Sequence, residues 1–142
     1  MRLGTAPGDY QIVAETPRSG GGSLHVNVRA TALGYEQKLG KEMNEKYCIR
    51  CHDPESTTER VSNFDNLSPK PHPFGDGATL NSLKDSDLAN IIRRGGAAVG
   101  KSAQMPPWGA TLKPAELKAL IAYIRAVADP PYIVPGARQG KE

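Results

Sequence analysis

The feature that most restricts how this chain can fold is the segment Cys48-Ile49-Arg50-Cys51-His52, which holds both of its cysteines. On a helix the two cysteines and His52 are spaced i, i+3 and i+4, so their side chains point the same way. Two thiols so placed can form thioethers with the two vinyl groups on one edge of a haem, while the imidazole reaches the iron. The spacing is typical of haem c attachment. It predicts one covalently bound haem, with Cys48, Cys51 and His52 as its binding residues.

A Cys-x-x-Cys pair has three other common uses in proteins. A thioredoxin-like dithiol does not require the following His52, and no βαβ pattern surrounds the motif. A structural zinc site needs four ligands, usually from two separated pairs, and the sequence has no second cysteine pair. A disulfide in an oxidising compartment would account for the cysteines but not for His52. Haem attachment is the interpretation that uses all three side chains.

The composition favours a core that a cofactor completes. Leu, Ile, Val and Phe together make 27 of the 142 residues, Gly and Pro together make another 27, and the net charge is only +3. The chain is therefore neither a highly charged coil nor rich in large apolar side chains. Its glycines and prolines predict many turns. The longest apolar run has six residues, 119–124, far short of the roughly 20 that cross a bilayer, so no transmembrane segment is expected.

Apolar periodicity predicts three helices. The first lies within residues 35–50, where apolar positions recur every four residues at Tyr35, Leu39, Met43 and Tyr47. The second, Leu83–Arg94, begins at an acidic cluster and ends at a glycine pair. The third, Pro114–Val127, has proline at its first position and one apolar face. Residues 53–82 are predicted to be an irregular connection, which is abnormally long unless it covers something.

The two ends of the chain are predicted to lie outside this helical part. Residues 1–32 are expected to be either a flexible lead-in or a β-hairpin, with candidate strands at Tyr10–Glu15 and Leu24–Arg29 and a turn near Gly20–Gly22. Residues 129–142 are expected to be an extended, fraying tail. No basic segment followed by an apolar stretch opens the sequence, so any export signal is expected to have been removed.

Met105 is the candidate for the second axial ligand of the iron. It lies in residues 104–109, Gln-Met-Pro-Pro-Trp-Gly, where the prolines favour an extended and stiff segment that presents the thioether. A methionine that fills a gap in the core is the alternative. His25 and His72 compete with it, because either would give a site with two histidine ligands.

Trp108 is a further candidate for cofactor binding. We expect it to pack beside the haem with its indole N–H on a propionate or a backbone carbonyl, and a partly buried core tryptophan is an equal alternative. Arg93 and Arg94 could pair with the propionates or end their helix in solvent.

The sequence resembles the class I monohaem cytochromes c over residues 33–128. The similarity comprises the Cys48–His52 segment, Gly40 eight residues before it, residues 105–109, and residues 120–124 in the last helix. It implies an all-α cytochrome c fold of three to four helices around one haem. Met105 and His52 are then the axial ligands.

The same resemblance implies that the first and last helices cross near Gly40 and Tyr123. It also implies that a proline carbonyl holds the His52 imidazole, and the candidates for it are Pro69, Pro71 and Pro73. The sequence departs from the family pattern at Asn44, where an aromatic residue is usual, and at Asp53, where a small residue is frequent.

The function expected from these residues is one-electron transfer, with the haem c iron cycling between Fe(III) and Fe(II), and not enzymatic catalysis. Its partners are expected to be periplasmic or otherwise extracytoplasmic redox proteins. The alternative is a haem enzyme, or a sensor that binds a gas or peroxide, in which the Met105 bond is labile or absent. A third hypothesis, compatible with the first, is a subunit of a larger redox assembly onto which residues 1–32 dock.

Charge is distributed unevenly along the chain. Residues 53–92 hold three basic and seven acidic side chains, whereas residues 93–125 hold six basic side chains and one acidic. Lys101 and Lys113 flank the stretch that contains Met105, so we expect an acidic redox partner to be steered towards it. A monomer with no nucleic-acid partner is expected.

Overall fold

The structure, a computed structural model, describes residues 10–15 and 27–136. The chain divides into two compact units, Met1–Tyr35 and Glu36–Glu142. In the first unit, β1 (Tyr10–Glu15) pairs antiparallel with β2 (Asn27–Ala32). The predicted first strand is confirmed, and the second begins three residues later than predicted. Residues 24–26 and the predicted glycine turn lie outside the described residues.

The second unit is helical, as predicted. Its α-helices are α1 (Tyr35–Met43), α2 (Ile49–His52), α3 (Gly77–Leu80), α4 (Asp85–Arg94) and α5 (Pro114–Val127). One π-helical turn (Asn44–Cys48) joins α1 to α2, and 3₁₀ turns occupy Phe64–Asn66 and Ala97–Val99. None of the helices in the described ranges is both long enough and apolar enough to span a membrane.

The first predicted helix is interrupted, whereas the other two match closely. Helix α5 has the predicted bounds, and α4 begins two residues later than predicted, at Asp85. Between α1 and α2 the backbone widens into the π-helical turn. Such turns inside helices are rare and are often found at functional sites. The turn ends at Cys48, the first residue of the attachment motif.

Helices α1 and α5 cross in close contact at Gly40, as the resemblance implies. A Cβ atom at Gly40 would overlap the Ala119 carbonyl and lie 2.7 Å from Tyr123 Cβ. Only glycine lets the two backbones approach this closely. Burial raises the pKa of Tyr123, and the neighbouring side chain of Asn44, itself buried, lowers it. The departure at Asn44 therefore replaces an aromatic contact with a polar contact at the same crossing.

One buried core joins these helices. Helix α5 supplies the largest share of it, and Leu120 and Ala119 are fully buried. The other buried apolar residues of the core cluster come from α1, the π-helical turn, α3, α4, the segment before α5 and α5 itself: Met43, Cys48, Leu80, Leu88, Ile92, Leu112, Leu117, Ile121 and Ile124. Cys48 is thus part of the core itself.

Arg125 ties three parts of this unit together. Its guanidinium donates to the backbone carbonyls of Leu80 and Leu83 and forms an ion pair with Asp85 at 2.9 Å. The guanidinium carbon lies 4.0 Å from the centroid of the Tyr132 ring. Only 9% of the Arg125 side chain is exposed. Every nitrogen of the guanidinium therefore has a partner, as a buried cation requires.

The start of the C-terminal tail is held against α3, although the whole tail was expected to fray. The Gly77 N–H donates to the Asp129 carbonyl, and the Asp129 N–H donates to the Gly75 carbonyl, both at 3.0 Å. The Asn81 side chain donates to the Pro130 carbonyl at 2.8 Å. These bonds satisfy tail backbone groups that a frayed segment would leave to water.

Candidate functional site

A cavity of ≈ 410 Å³ opens within the helical unit. This volume lies in the range of small-molecule and cofactor sites. All five predicted site residues line it: Cys48, Cys51, His52, Met105 and Trp108. Most of the remaining lining is apolar and comes from residues 67–74, α4 and α5. A large planar apolar cofactor with a few polar ends suits such a lining.

The attachment motif forms one wall of the cavity. Cys48 is 9% exposed and Cys51 is half-buried, and both are free thiols. The disulfide alternative is therefore not the state that the structure shows. Burial, with a smaller contribution from the neighbouring Cys51, raises the pKa of the Cys48 thiol to about 12. The described residues contain no group of three or more His, Cys, Asp or Glu side chains able to hold a metal ion, so the zinc alternative lacks a ligand set there.

His52 has a defined tautomer. Its Nδ1 lies 2.7 Å from the backbone carbonyl of His72, and a carbonyl can only accept, so Nδ1 carries the proton. Nε2 is therefore left as the atom that can bind a metal. Burial is the main cause that lowers the pKa of His52, which favours the neutral form that ligation needs. The Phe74 ring, with centroids 4.9 Å apart, packs on the imidazole.

The expectation that a proline carbonyl holds His52 is wrong. The carbonyl belongs to His72, the residue before Pro73. A residue that precedes proline is restricted to extended conformations, which gives its carbonyl a fixed direction. Proline thus acts on the neighbouring residue and does not itself accept the bond.

The His72 imidazole has a carboxylate partner, which disfavours it as the sixth ligand. Its own imidazole lies 3.1 Å from the Asp76 carboxylate, and its side chain is half-exposed. Its backbone is on the Nδ1 side of His52, whereas a metal would bind on the Nε2 side. The competing site with two histidines finds no support from His72, and His25 lies outside the described residues.

The segment that carries Met105 is hydrogen-bonded to the C-terminal end of α4. We call residues 95–109 the Met105 loop. The amides of Trp108 and Gly109 donate to the carbonyls of Ile92 and Arg93, at 3.0 and 3.1 Å. These two carbonyls belong to the last turn of α4, where helix carbonyls lack partners within the helix. The helix end thus holds the loop by its backbone.

Gly95 and Gly96 let the loop backbone approach the end of α4 this closely, a role that was not predicted from the sequence. At Gly95 φ is +75°, and a Cβ there would lie 2.8 Å from Pro107 N and 2.9 Å from Met105 O. The Gly96 amide donates to the Met105 carbonyl at 3.0 Å. The glycine pair was interpreted only as a helix end. Two consecutive glycines, where one suffices to end a helix, were the available signal.

Trp108 connects the Met105 loop to the attachment segment. Its ring centroid lies 5.3 Å from that of Tyr47, which precedes Cys48, and the two planes are tilted by 49°. Trp108 is half-buried and lines the cavity. Arg93 and Arg94 are exposed and are not among the residues that line the cavity, so their side chains end α4 at the surface.

An all-α unit whose Cys-x-x-Cys-His segment lines one apolar cavity has the arrangement of a small c-type cytochrome. Residues 36–124 match the family described as cytochrome c oxidase, cbb3-type, subunit III, and the chain belongs to this family. No curated protein and no solved structure matches the chain. Membership implies haem c as the cofactor, and cytochromes c are in general electron carriers.

The residues present fit a haem. Two thiols and one neutral imidazole lie on the same wall of the cavity, and a thioether from a separate loop lines it as well. When bound, the haem supplies a one-electron iron couple, which no side chain of the chain provides. The protein contributes ligands, an apolar enclosure and a surface for partners.

Proposed function

We propose that this chain is a one-electron carrier that holds one haem c through Cys48 and Cys51, with His52 and Met105 as axial ligands. The observation that carries the proposal is the His52–His72 bond, because it fixes the imidazole with Nε2 free at the wall where both thiols lie. A ligand that is held in place changes little when the iron changes charge. Small reorganisation is what electron transfer requires.

The seating of the Met105 loop supports a carrier over an enzyme. A carrier keeps both axial positions filled, and two backbone hydrogen bonds to α4, with a third between Gly96 and Met105 inside the loop, hold this loop in place. A haem enzyme or sensor needs an open position with a polar group beside it. No arginine lines the cavity in the described part of the chain, and the imidazole of His72 is engaged with Asp76.

We further propose that the partners are extracytoplasmic redox proteins and that the chain is a monomer between encounters. Covalent haem attachment takes place outside the cytoplasm, which supports a periplasmic location. The matched family is named for an oxidase subunit. That name supports a role beside or within a larger redox assembly, with residues 1–32 available for docking.

The structure reduces the number of basic side chains that could steer an acidic partner. Of the six basic residues in 93–125, Arg125 is buried against Asp85, and Lys118 lies 3.4 Å from Glu36. Four exposed bases remain on this stretch: Arg93, Arg94, Lys101 and Lys113. Of these four bases, Lys101 lines the cavity. Docking of an acidic partner is proposed to occur on that side.

Visible spectra of both redox states test the proposal. The oxidised protein is expected to show the sulfur-to-iron charge-transfer band of methionine ligation. Met105→Ala is expected to remove the band and to open the iron to cyanide or carbon monoxide, and Met105→His is expected to lower the potential. A wild type without the band, together with an unchanged Met105→Ala spectrum, would overturn the assignment of Met105 and favour His72 or His25 as the second axial ligand.

A further inference from the structure

Two loops that are far apart in sequence meet where the cavity lining is exposed. One consists of residues 67–72 and the other is the Met105 loop, and both contribute lining residues. The Ser68 amide donates to Gln104 Oε1 at 3.2 Å, across a separation of 36 residues. We call this contact the interloop bond.

Gln104 is oriented for this contact by its own loop. Its backbone N–H donates to Ser102 Oγ at 3.2 Å, and the Ser102 hydroxyl lies 3.5 Å from the same Oε1 that accepts from Ser68. The side chain is exposed and packs in no core cluster. An exposed glutamine would ordinarily be free to rotate, so this fixed orientation calls for an explanation.

We infer that Gln104 is a positioning residue that keeps Met105 in place through the interloop bond, an inference that rests on the proposed function. Met105 is the next residue along the chain. Its carbonyl accepts from the Gly96 amide, where the same loop leaves α4, and the interloop bond joins the preceding residue to the opposite loop. The backbone that carries the thioether is thus held at two points.

The consequence concerns ligands that compete with Met105. An external ligand can reach the iron only after Met105 has moved out of the cavity, and this motion carries the loop away from residues 67–72. The motion breaks the interloop bond, whereas the hydrogen bonds that the Trp108 and Gly109 amides donate to α4 can stay intact. One net hydrogen bond corresponds to about a fivefold change in such an opening equilibrium.

The test is the rate at which imidazole binds to the oxidised holoprotein at ligand concentrations where this rate is proportional to the imidazole concentration. The rate is then proportional to the opening equilibrium constant of Met105. Gln104→Ala removes the acceptor, and we expect it to bind about fivefold faster than wild type. Gln104→Glu keeps an acceptor oxygen at the same reach, so we expect a rate near that of wild type. Ala103→Ser, an exposed change in the same loop, is the matched control.

The outcomes separate this inference from the proposed function. If Gln104→Ala and wild type bind imidazole at equal rates, the interloop bond does not position Met105, and the carrier proposal is unaffected. If Gln104→Glu is as fast as Gln104→Ala, the acceptor oxygen is not the cause, and the inference is also overturned. A wild type that lacks the charge-transfer band overturns the Met105 ligation itself, before any variant is compared.

Discussion

The attachment segment and the Met105 loop serve the same cavity but are built in different ways. In the attachment segment, five consecutive residues supply both thiols and the imidazole, so one stretch of helix positions all three. In the Met105 loop the candidate ligand is one side chain, and hydrogen bonds from the loop to α4 and to Ser68 place it. The first arrangement is local along the chain, whereas the second depends on contacts between distant residues.

This difference assigns the two segments different mechanical roles. On the proposed assignment, two thioether bonds and a helix hold the attachment side, so its ligand cannot leave without local unfolding. The Met105 loop is held by individual hydrogen bonds, each with a net value of about 1 kcal/mol. The same assignment therefore predicts that displacement of an axial ligand begins on the Met105 side. Variants can test each side separately.

The largest effect is expected from Cys48→Ser combined with Cys51→Ser. We expect complete loss of covalent haem, because no thioether can form. Extraction of the denatured protein with acidified organic solvent measures it. Met105→Ala is the control from the other segment and is expected to keep all of its haem after the same treatment. Haem that stays with the double variant would show that the two segments do not differ in this way.

Gly40→Ala is expected to damage both segments together. The added methyl would overlap the Ala119 carbonyl and push α1 away from α5. We expect a loss of about 3 kcal/mol in the free energy of unfolding, measured with urea. Gly75→Ala is the control, because its nearest neighbour, the Val127 carbonyl, lies at an ordinary 3.8 Å. Equal stability of the two variants would contradict the close crossing.

Gly95→Ala is expected to affect the Met105 loop alone. It forces alanine into a backbone conformation that is almost confined to glycine and brings its Cβ against Pro107 and Met105. We expect a loss of about 2 kcal/mol in stability and of the sulfur-to-iron band, with covalent haem retained.

Gly100→Ala is the matched control for this loop. Its φ is +74°, but nothing lies within 4 Å of the added Cβ. It therefore carries only the cost of a left-handed conformation, about 1 kcal/mol. If both variants keep the band, the close packing of the loop against Gly95 does not hold Met105 in place.

The sequence predicted the attachment segment and the helices because their signals are local. The spacing of Cys48 and His52 and the apolar face of α5 can be seen within a few turns of helix. The His72 carbonyl and the interloop bond could not be predicted in this way. Each joins residues 20 or more positions apart, and any residue can offer a backbone group. Only the folded chain determines which group lies in reach.

Charge shows the same limit of sequence reasoning. The stretch 93–125 was predicted to be strongly basic, with six basic side chains and one acidic, and Arg125 is one of the six. The structure places its guanidinium inside, where it holds carbonyls and one carboxylate. The number of charges was correct, but the number available to a partner is smaller.

The smallest effect is expected from Lys101→Glu combined with Lys113→Glu. We expect roughly threefold slower association with an acidic redox partner at low salt, and a weaker dependence of the rate on salt. Stopped-flow rates would be measured as the Debye length falls from ~30 Å to ~10 Å. Lys118→Glu is the control for a reversal of charge elsewhere, because Lys118 does not line the cavity. Equal rates for the double variant and wild type would contradict steering near Met105.

The contacts of Arg125 have a consequence for how the molecule opens. One guanidinium holds Leu80, Leu83, Asp85 and the ring of Tyr132, and the backbone of Asp129 is bonded to α3. Detaching the tail breaks the Tyr132 contact and the Asp129 bonds beside α3, and detaching the α3–α4 link breaks two bonds of the same guanidinium. We therefore expect their amide hydrogens to exchange with solvent at one shared rate, as a single cooperative unit. A cavity wall made of leucines would in that case be kept closed by residues 129–132.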